Sequence, residues 1–215
     1  MMDTVASPPA HGALMDSIYR RQKHIYDATR KYYLFGRDTM IDGLACQPGM
    51  NLLEIGCGTG RNLAQIDRRW PGVRLRGLDI SQEMLETARQ RLGDGAMLAL
   101  GDATDFNPAA LFGEDKFDRV VISFALSMIP QWREAVRHAA GLLAPGGSLH
   151  IVDFGNLSGL PGPLRWLMLR WLGAFHVTPR NGLADLVGGL GTRHGLAVTV
   201  RRGPLGYYRL VTLTR

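Results

Sequence analysis

An α/β fold, with a mostly parallel seven-stranded sheet and helices on both faces, is what this sequence predicts. Three observations carry that expectation. Short apolar runs alternate with stretches of helical periodicity over residues 51–154. The first run, Asn51–Ile55, leads into a Gly-x-Gly-x-Gly turn, Gly56-Cys57-Gly58-Thr59-Gly60. The second and third runs each close on an acid, Asp79 and Asp102. Glycine-cut apolar runs of this length read as buried parallel strands.

Taken in order, residues 1–12 carry Pro8, Pro9 and Gly12 and read as a tail. Over 13–30, Leu14, Ile18, Ile25 and Tyr26 can share one side of a helix, while Arg20, Arg21, Lys23, Arg30 and Lys31 supply dense positive charge. Residues 1–46 are therefore expected to form a tail and a helical lid. That basic helix either packs on the domain as a solvated face or also touches an anionic membrane. Tyr19, Tyr26, Tyr32 and Tyr33 crowd the same region, as packing or as a ligand cage. A short helix is expected over 38–46.

The domain proper, 47–215, starts with a strand at Asn51–Ile55 and a helix at Arg61–Arg69. A second strand spans 73–80, and Ser81 has the chemistry of an N-cap for a helix over 82–91. Ala96–Leu100 is the third strand and Phe117–Ser123 the fourth, with a rim at 124–130. A helix over 131–143 stops at Ala144-Pro145-Gly146-Gly147, and the fifth strand runs over 148–154. Residues 155–190 break the rhythm as a cap. There the apolar run containing Trp166 and Trp171, interrupted only by Arg165 and Arg170, reads either as a cap helix buried against the sheet or as a segment facing an apolar substrate or a membrane. A helix over 181–194 and a strand pair, 197–201 and 207–214, complete the chain.

The 215 residues fit one domain of ordinary size, and 46% hydrophobic with 20% charged content fits a globular chain. No apolar run reaches the ~20 residues of a spanning helix, and residues 1–12 lack a signal-peptide pattern. Two cysteines make no disulfide framework, which points to a reduced, cytoplasmic setting. The net charge of +6 and a pI near 9.7 suit nucleic acid, an anionic membrane or an anionic substrate, without choosing among them. The histidines are scattered, His150 and His176 read as structural, and no metal cluster is expected.

The glycine turn is a cradle for a nucleotide-type ligand, because alternate glycines let the backbone come close and the following helix offers free N–H groups. Asp79 lies about twenty residues on, where a carboxylate can take both ribose hydroxyls. Asp102 could accept from an adenine amino group. The E-x-G-x-G-x-G form, with Asp79, Asp102, the Phe117-Asp118 entry and Leu143–Ser148, resembles the class I S-adenosylmethionine-dependent methyltransferases. That resemblance covers about residues 50–153. It implies a Rossmann-like fold, S-adenosylmethionine as cofactor and S-adenosylhomocysteine as its product. The cofactor set it implies is Glu54, Gly56, Cys57, Gly58, Gly60, Asn62, Asp79, Ile80, Met84, Asp102, Ala103 and Ser123.

The flanks narrow the resemblance. Met15-Asp16, Tyr19-Arg20-Arg21-Gln22, Gly36-Arg37-Asp38, Leu126-Ser127-Met128-Ile129-Pro130, Val152-Asp153-Phe154-Gly155 and Ser158–Gly162 resemble the bacterial N-methyltransferase of betaine-lipid synthesis. This implies three methylations of diacylglyceryl-homoserine to diacylglyceryl-trimethylhomoserine by a cytoplasmic, peripherally membrane-associated enzyme. Tyr19, Tyr26, Tyr32 and Ser127 would face the reacting amine, and Arg30, Lys31 and Arg37 the head-group carboxylate. The implied partners are a lipid at an anionic membrane surface and the upstream enzyme that makes diacylglyceryl-homoserine. Phosphatidylethanolamine N-methylation, small-molecule or RNA methylation, aminocarboxypropyl transfer and a non-enzymatic binding module are the rivals. Nucleic acid is disfavoured, because Ser123-Phe124-Ala125-Leu126 stands where an Asn/Asp-Pro-Pro-Tyr-type motif would be.

Overall fold

The computed structural model describes residues 35–174 and 177–215. The expected helix over 13–30, with Tyr19, Tyr26, Arg30, Lys31 and Tyr32, lies outside the described residues, as does His176. The elements in order are α1 Arg37–Asp42, β1 Asn51–Ile55, α2 Arg61–Arg69, β2 Arg74–Asp79, α3 Gln82–Leu92, β3 Ala96–Leu100 and α4 Pro108–Phe112. They continue as β4 Phe117–Ser123, α5 Trp132–Gly141, β5 Leu143–Phe154, α6 Gly162–Ala174, α7 Leu183–His194, β6 Ala197–Arg202 and β7 Tyr208–Thr214.

The seven strands form one sheet in the order β3-β2-β1-β4-β5-β7-β6. Strands β1 to β5 run parallel, while β7 lies antiparallel to both β5 and β6. The mostly parallel seven-stranded expectation is thus met. Strand order reverses between β1 and β4, where Ile55 sits level with Ile122, and such a switch point opens a crevice at the carboxyl ends of the strands.

Side-chain alternation along the strands builds two cores. Leu53, Ile55, Leu149 and Ile151 face a layer made by α4, α5 and α7, with Ala135, Val136, Leu183 and Val187. Leu52, Val152 and Phe154 face the opposite layer, where Met40 and Ile41 of α1, Leu63 and Ile66 of α2, Leu85 of α3 and Leu172 of α6 pack. Leu52, Leu53 and Ile55 are wholly buried, each stabilising the fold by roughly 1.5–3 kcal/mol.

Three boundaries depart from the periodicity. Helix α1 stops at Asp42 rather than 46: the Leu44 amide turns back to the Ile41 carbonyl at 3.2 Å, Ala45 takes a left-handed φ of 46°, and the Arg119 guanidinium binds the Leu44 and Ala45 carbonyls (2.6 and 3.3 Å) beyond the helix end. Helix α5 ends at Gly141, and β5 begins at Leu143 opposite Phe117. The Pro145-Gly146-Gly147 stretch is a bulge inside β5, not a helix stop, and the register slips there between Phe117 and Arg119. Finally, α4 was not anticipated, although Asn107 caps it by accepting from the Ala110 amide at 3.1 Å and Pro108 opens it.

Gly77 in β2 sits where β3, the glycine turn and α2 all crowd the sheet. A Cβ there would stand 2.7 Å from Leu98 Cδ2 and 2.9 Å from both Cys57 Sγ and Leu63 Cδ1. Gly77→Ala is expected to lower stability by about 1–3 kcal/mol, read from the urea unfolding midpoint. A midpoint matching the wild type would contradict this packing.

Candidate functional site

The turn after β1 is fastened to the end of β2. The Gly56 and Cys57 amides donate to the Leu78 carbonyl at 2.8 and 3.0 Å. The Gly58 amide donates to Asp79 Oδ2 at 2.7 Å, and the Ser81 amide donates to Asp79 Oδ1 at 3.0 Å. One carboxylate therefore ties the glycine turn to the start of α3 by charge-assisted bonds. Ser81 caps that helix as expected, accepting from the Met84 amide at 3.3 Å. On the other side of the turn, Asn62 Nδ2 donates to Glu54 Oε1 at 2.6 Å, joining α2 to the wholly buried acid of β1. Arg91 of α3 donates to both the hydroxyl and the carbonyl of Thr59.

The three glycines have different reasons to be glycine. All have positive φ, 72° at Gly56, 53° at Gly58 and 72° at Gly60. A Cβ on Gly56 would stand 2.6 Å from the Ala125 Cβ, and one on Gly60 would stand 2.7 Å from Leu92 Cδ1. A Cβ on Gly58 would meet nothing within 4 Å. Gly56 and Gly60 are held by packing; Gly58 faces open space beside the Asp79 carboxylate. That is the geometry of a backbone cradle for a ligand.

Asp102 follows β3, and the Gly101 amide before it donates to the Asp79 carbonyl at 3.0 Å. Asp102 Oδ1 accepts from the Thr104 amide and hydroxyl at 2.9 and 2.6 Å, which fixes the loop through Ala103. Ile80 is half-buried and Met84 buried at the start of α3. The Cys57 thiol points inward beside Gly77, and burial pushes it well above the usual thiol range. Cys57 thus offers the cradle only its backbone.

The second half of the crevice is built at the ends of β4 and β5. Ser123 ends β4, and Phe124 follows with φ 52°, a left-handed conformation that costs a non-glycine residue about 1–3 kcal/mol. It is held by its amide bond to the Val152 carbonyl, 2.7 Å, and by edge contact with Phe154, ring centres 4.9 Å apart. The Ser127 amide then donates to Asp153 Oδ2 at 3.0 Å. Arg180, from the segment between α6 and α7, donates to the carbonyls of Leu126, Ser127 and Ile129 at 2.9, 3.3 and 2.7 Å. Arg209 of β7 in turn donates to the Arg180 and Asn181 carbonyls.

Asp153 is fully buried, and burial pushes its carboxyl up to about 6, against the amide bonds from Phe154 and Ser127 and the Arg180 cation. Burial also lowers Arg180 from its usual value, an effect that Asp153 opposes. Sequence reasoning gave Asp153 and Arg180 no role. The available signal was an acid interrupting the apolar Ile151-Val152-Asp153-Phe154 run. Ser127 is 1% exposed and meets Asp153 through its amide. Arg37 opens α1, its side chain 14% exposed and its Nε 3.6 Å from Asp38 Oδ1. The other acceptor-side candidates, Tyr19, Tyr26, Arg30, Lys31 and Tyr32, lie outside the described residues.

The sequence matches the methyltransferase-domain family over residues 53–149. It is 32% identical over 186 residues to the ubiquinone/menaquinone biosynthesis C-methyltransferase UbiE of Paracoccus denitrificans, covering 83% of this chain and 72% of that protein. The UbiE of Cereibacter sphaeroides is 34% identical over 153 residues, and that match spans 68% of this chain but only 57% of the relative. Among solved structures, Haemonchus contortus phosphoethanolamine N-methyltransferase 2 in complex with S-adenosyl-L-methionine superposes with a TM-score of 0.66 at 15% identity. The superposition covers 83% of this chain and 52% of that one.

Because the folded pKa of Asp153 is raised, its protonated form contributes stability that is present below about 3.8 and lost as pH rises through about 6. Melting temperatures of the wild type and Asp153→Asn should therefore shift relative to one another, in favour of the wild type, on going from about pH 7.5 to about pH 5. A difference constant across that window would contradict the assignment.

Proposed function

We propose that this chain, which belongs to the class I S-adenosylmethionine-dependent methyltransferases, transfers methyl groups from S-adenosylmethionine to the amine of a lipid head group. The observation that carries the cofactor half is Gly58. Its left-handed backbone faces open space while its amide is held by Asp79. The residues present fit the cofactor. Asp79 would take the ribose hydroxyls, the Asp102–Ala103 turn would meet the adenine, and Gly56, Gly58 and Gly60 would line the remainder. When bound, S-adenosylmethionine supplies an electrophilic methyl on a sulfonium and leaves as S-adenosylhomocysteine.

For the acceptor we favour diacylglyceryl-homoserine, methylated three times. Support comes from the segments that resemble the betaine-lipid enzymes. Two of them, Leu126 to Pro130 and Val152 to Gly155, are joined by the Ser127–Asp153 bond although they are far apart in sequence. A neutral amine attacking in line needs positioning and a dry site more than acid–base groups. The chain would supply a cation for the head-group carboxylate from Arg37, Arg30 or Lys31. Tyr19, Tyr26 or Tyr32 would face the fixed cation that accumulates.

The names of the relatives favour a second reading, methylation at carbon of a quinone-type acceptor. A carbon acceptor must lose a proton from carbon, whereas a third methylation of nitrogen leaves a permanent charge. Mass spectrometry of lipids from a host supplied with diacylglyceryl-homoserine should show gains of one, two and three methyl masses. The nitrogen of the last product should keep its positive charge in alkali, where those of the earlier products lose theirs. Methylated phosphatidylethanolamine, a methylated quinone, or one larger unit in place of methyl masses would overturn the acceptor. On the cofactor side, Asp79→Ala should weaken S-adenosylhomocysteine binding on the order of a hundredfold by calorimetry, since bonds to a charged group are at stake. An unchanged titration would overturn the ribose role.

A further inference from the structure

Helix α6 is unlike every other described helix. Only Leu172 of its thirteen residues is buried. Leu164, Trp166 and Leu167 are 47, 61 and 57% exposed. Its sequence, Gly-Pro-Leu-Arg-Trp-Leu-Met-Leu-Arg-Trp-Leu-Gly-Ala, contains no acid, and its two charges are Arg165 and Arg170. Large apolar side chains gathered on one face of a folded chain mark an interaction surface.

The surroundings extend that face and fix its place. Leu205, 58% exposed, sits on the turn between β6 and β7, where its carbonyl accepts from the Gly159 amide at 3.0 Å, just ahead of α6. Arg165 Nε donates to the Asn156 carbonyl at 2.9 Å, pinning the helix to the loop that leaves β5. The Arg170 guanidinium lies 5.5 Å from the Trp166 ring centre. The helix is therefore tethered to the carboxyl edge of the sheet, the edge that carries Gly58, Asp79 and Asp153.

We propose that α6, with Leu205, docks this protein on an anionic phospholipid bilayer at the level of the head groups. Charge selects that occupant. Tryptophan and arginine both suit the boundary between head groups and acyl chains, and an acid-free helix is attracted to anionic lipid. A second copy is a poorer fit, because α6 against α6 would oppose arginines with no acid to pair them. Among the described residues no helix is long and apolar enough to cross a membrane, so α6 would lie in the interface. The proposal gives the lipid-acceptor reading its geometry and rests on it for its purpose. A docked bilayer would bring head groups to the rim formed by 124–130.

The test is co-sedimentation of the full chain with vesicles of equal parts phosphatidylcholine and phosphatidylglycerol. The Trp166→Ser/Leu167→Ser double variant should lose about tenfold or more in vesicle affinity, since two exposed apolar side chains no longer leave water. Arg170→Glu should weaken binding to these vesicles but not to phosphatidylcholine alone. Circular dichroism and S-adenosylhomocysteine titration should match the wild type for both variants. Co-sedimentation of the double variant equal to the wild type would overturn the proposal. So would absence of vesicle binding together with a wild-type dimer that the double variant abolishes. Loss of binding in the variants, with no methylation of any lipid by the wild type, would leave the docking face standing and remove the lipid acceptor.

Discussion

The carboxylate of Asp79, accepting the Gly58 amide at 2.7 Å, holds the carboxyl edge of this sheet in working order. The Asp79 side chain reaches across from β2 to the turn that follows β1, and its second oxygen holds the Ser81 amide that starts α3. Its backbone carbonyl receives the Gly101 amide after β3. Three consecutive strand ends are thereby fixed to one residue. That tie joins the Gly56 and Cys57 amide bonds to the Leu78 carbonyl in selecting one conformation of a turn with three positive-φ glycines, the residues that lose most freedom on ordering.

The opposite half of the crevice relies on a second buried acid. Asp153 binds the rim after β4 through Ser127, while Arg180 takes three carbonyls of the same rim from the cap side. The left-handed Phe124 is tolerated because the rim is over-determined in this way. One acid therefore organises the turn after β1 and another the rim after β4, and they lie on opposite sides of the strand-order reversal.

Much of the fold was legible because its signals are local. Asn51–Ile55, Arg61–Arg69 and Ala96–Leu100 have glycine or proline within two residues of each end, and the structure keeps those limits. The failures have tertiary causes. The chain leaves α1 early through a left-handed Ala45, and the carbonyls of that exit are held by Arg119 from a strand distant in sequence. The Pro-Gly-Gly bulge in β5 depends on pairing with Phe117, which no local pattern encodes. The glycine turn and Asp79 could be found by spacing, whereas Arg180 could not, because its role depends on carbonyls more than fifty residues away. Most residues proposed for the acceptor, Tyr19, Tyr26, Arg30, Lys31 and Tyr32, lie outside the described residues and were picked out by resemblance alone.

A structure of the protein with S-adenosylhomocysteine tests the central claim most directly. The account predicts both ribose hydroxyls within about 2.6–3.2 Å of the Asp79 carboxylate, and ligand atoms filling the space before Gly58. A ligand bound elsewhere, with that space empty and no ribose hydroxyl at the Asp79 carboxylate, would contradict it.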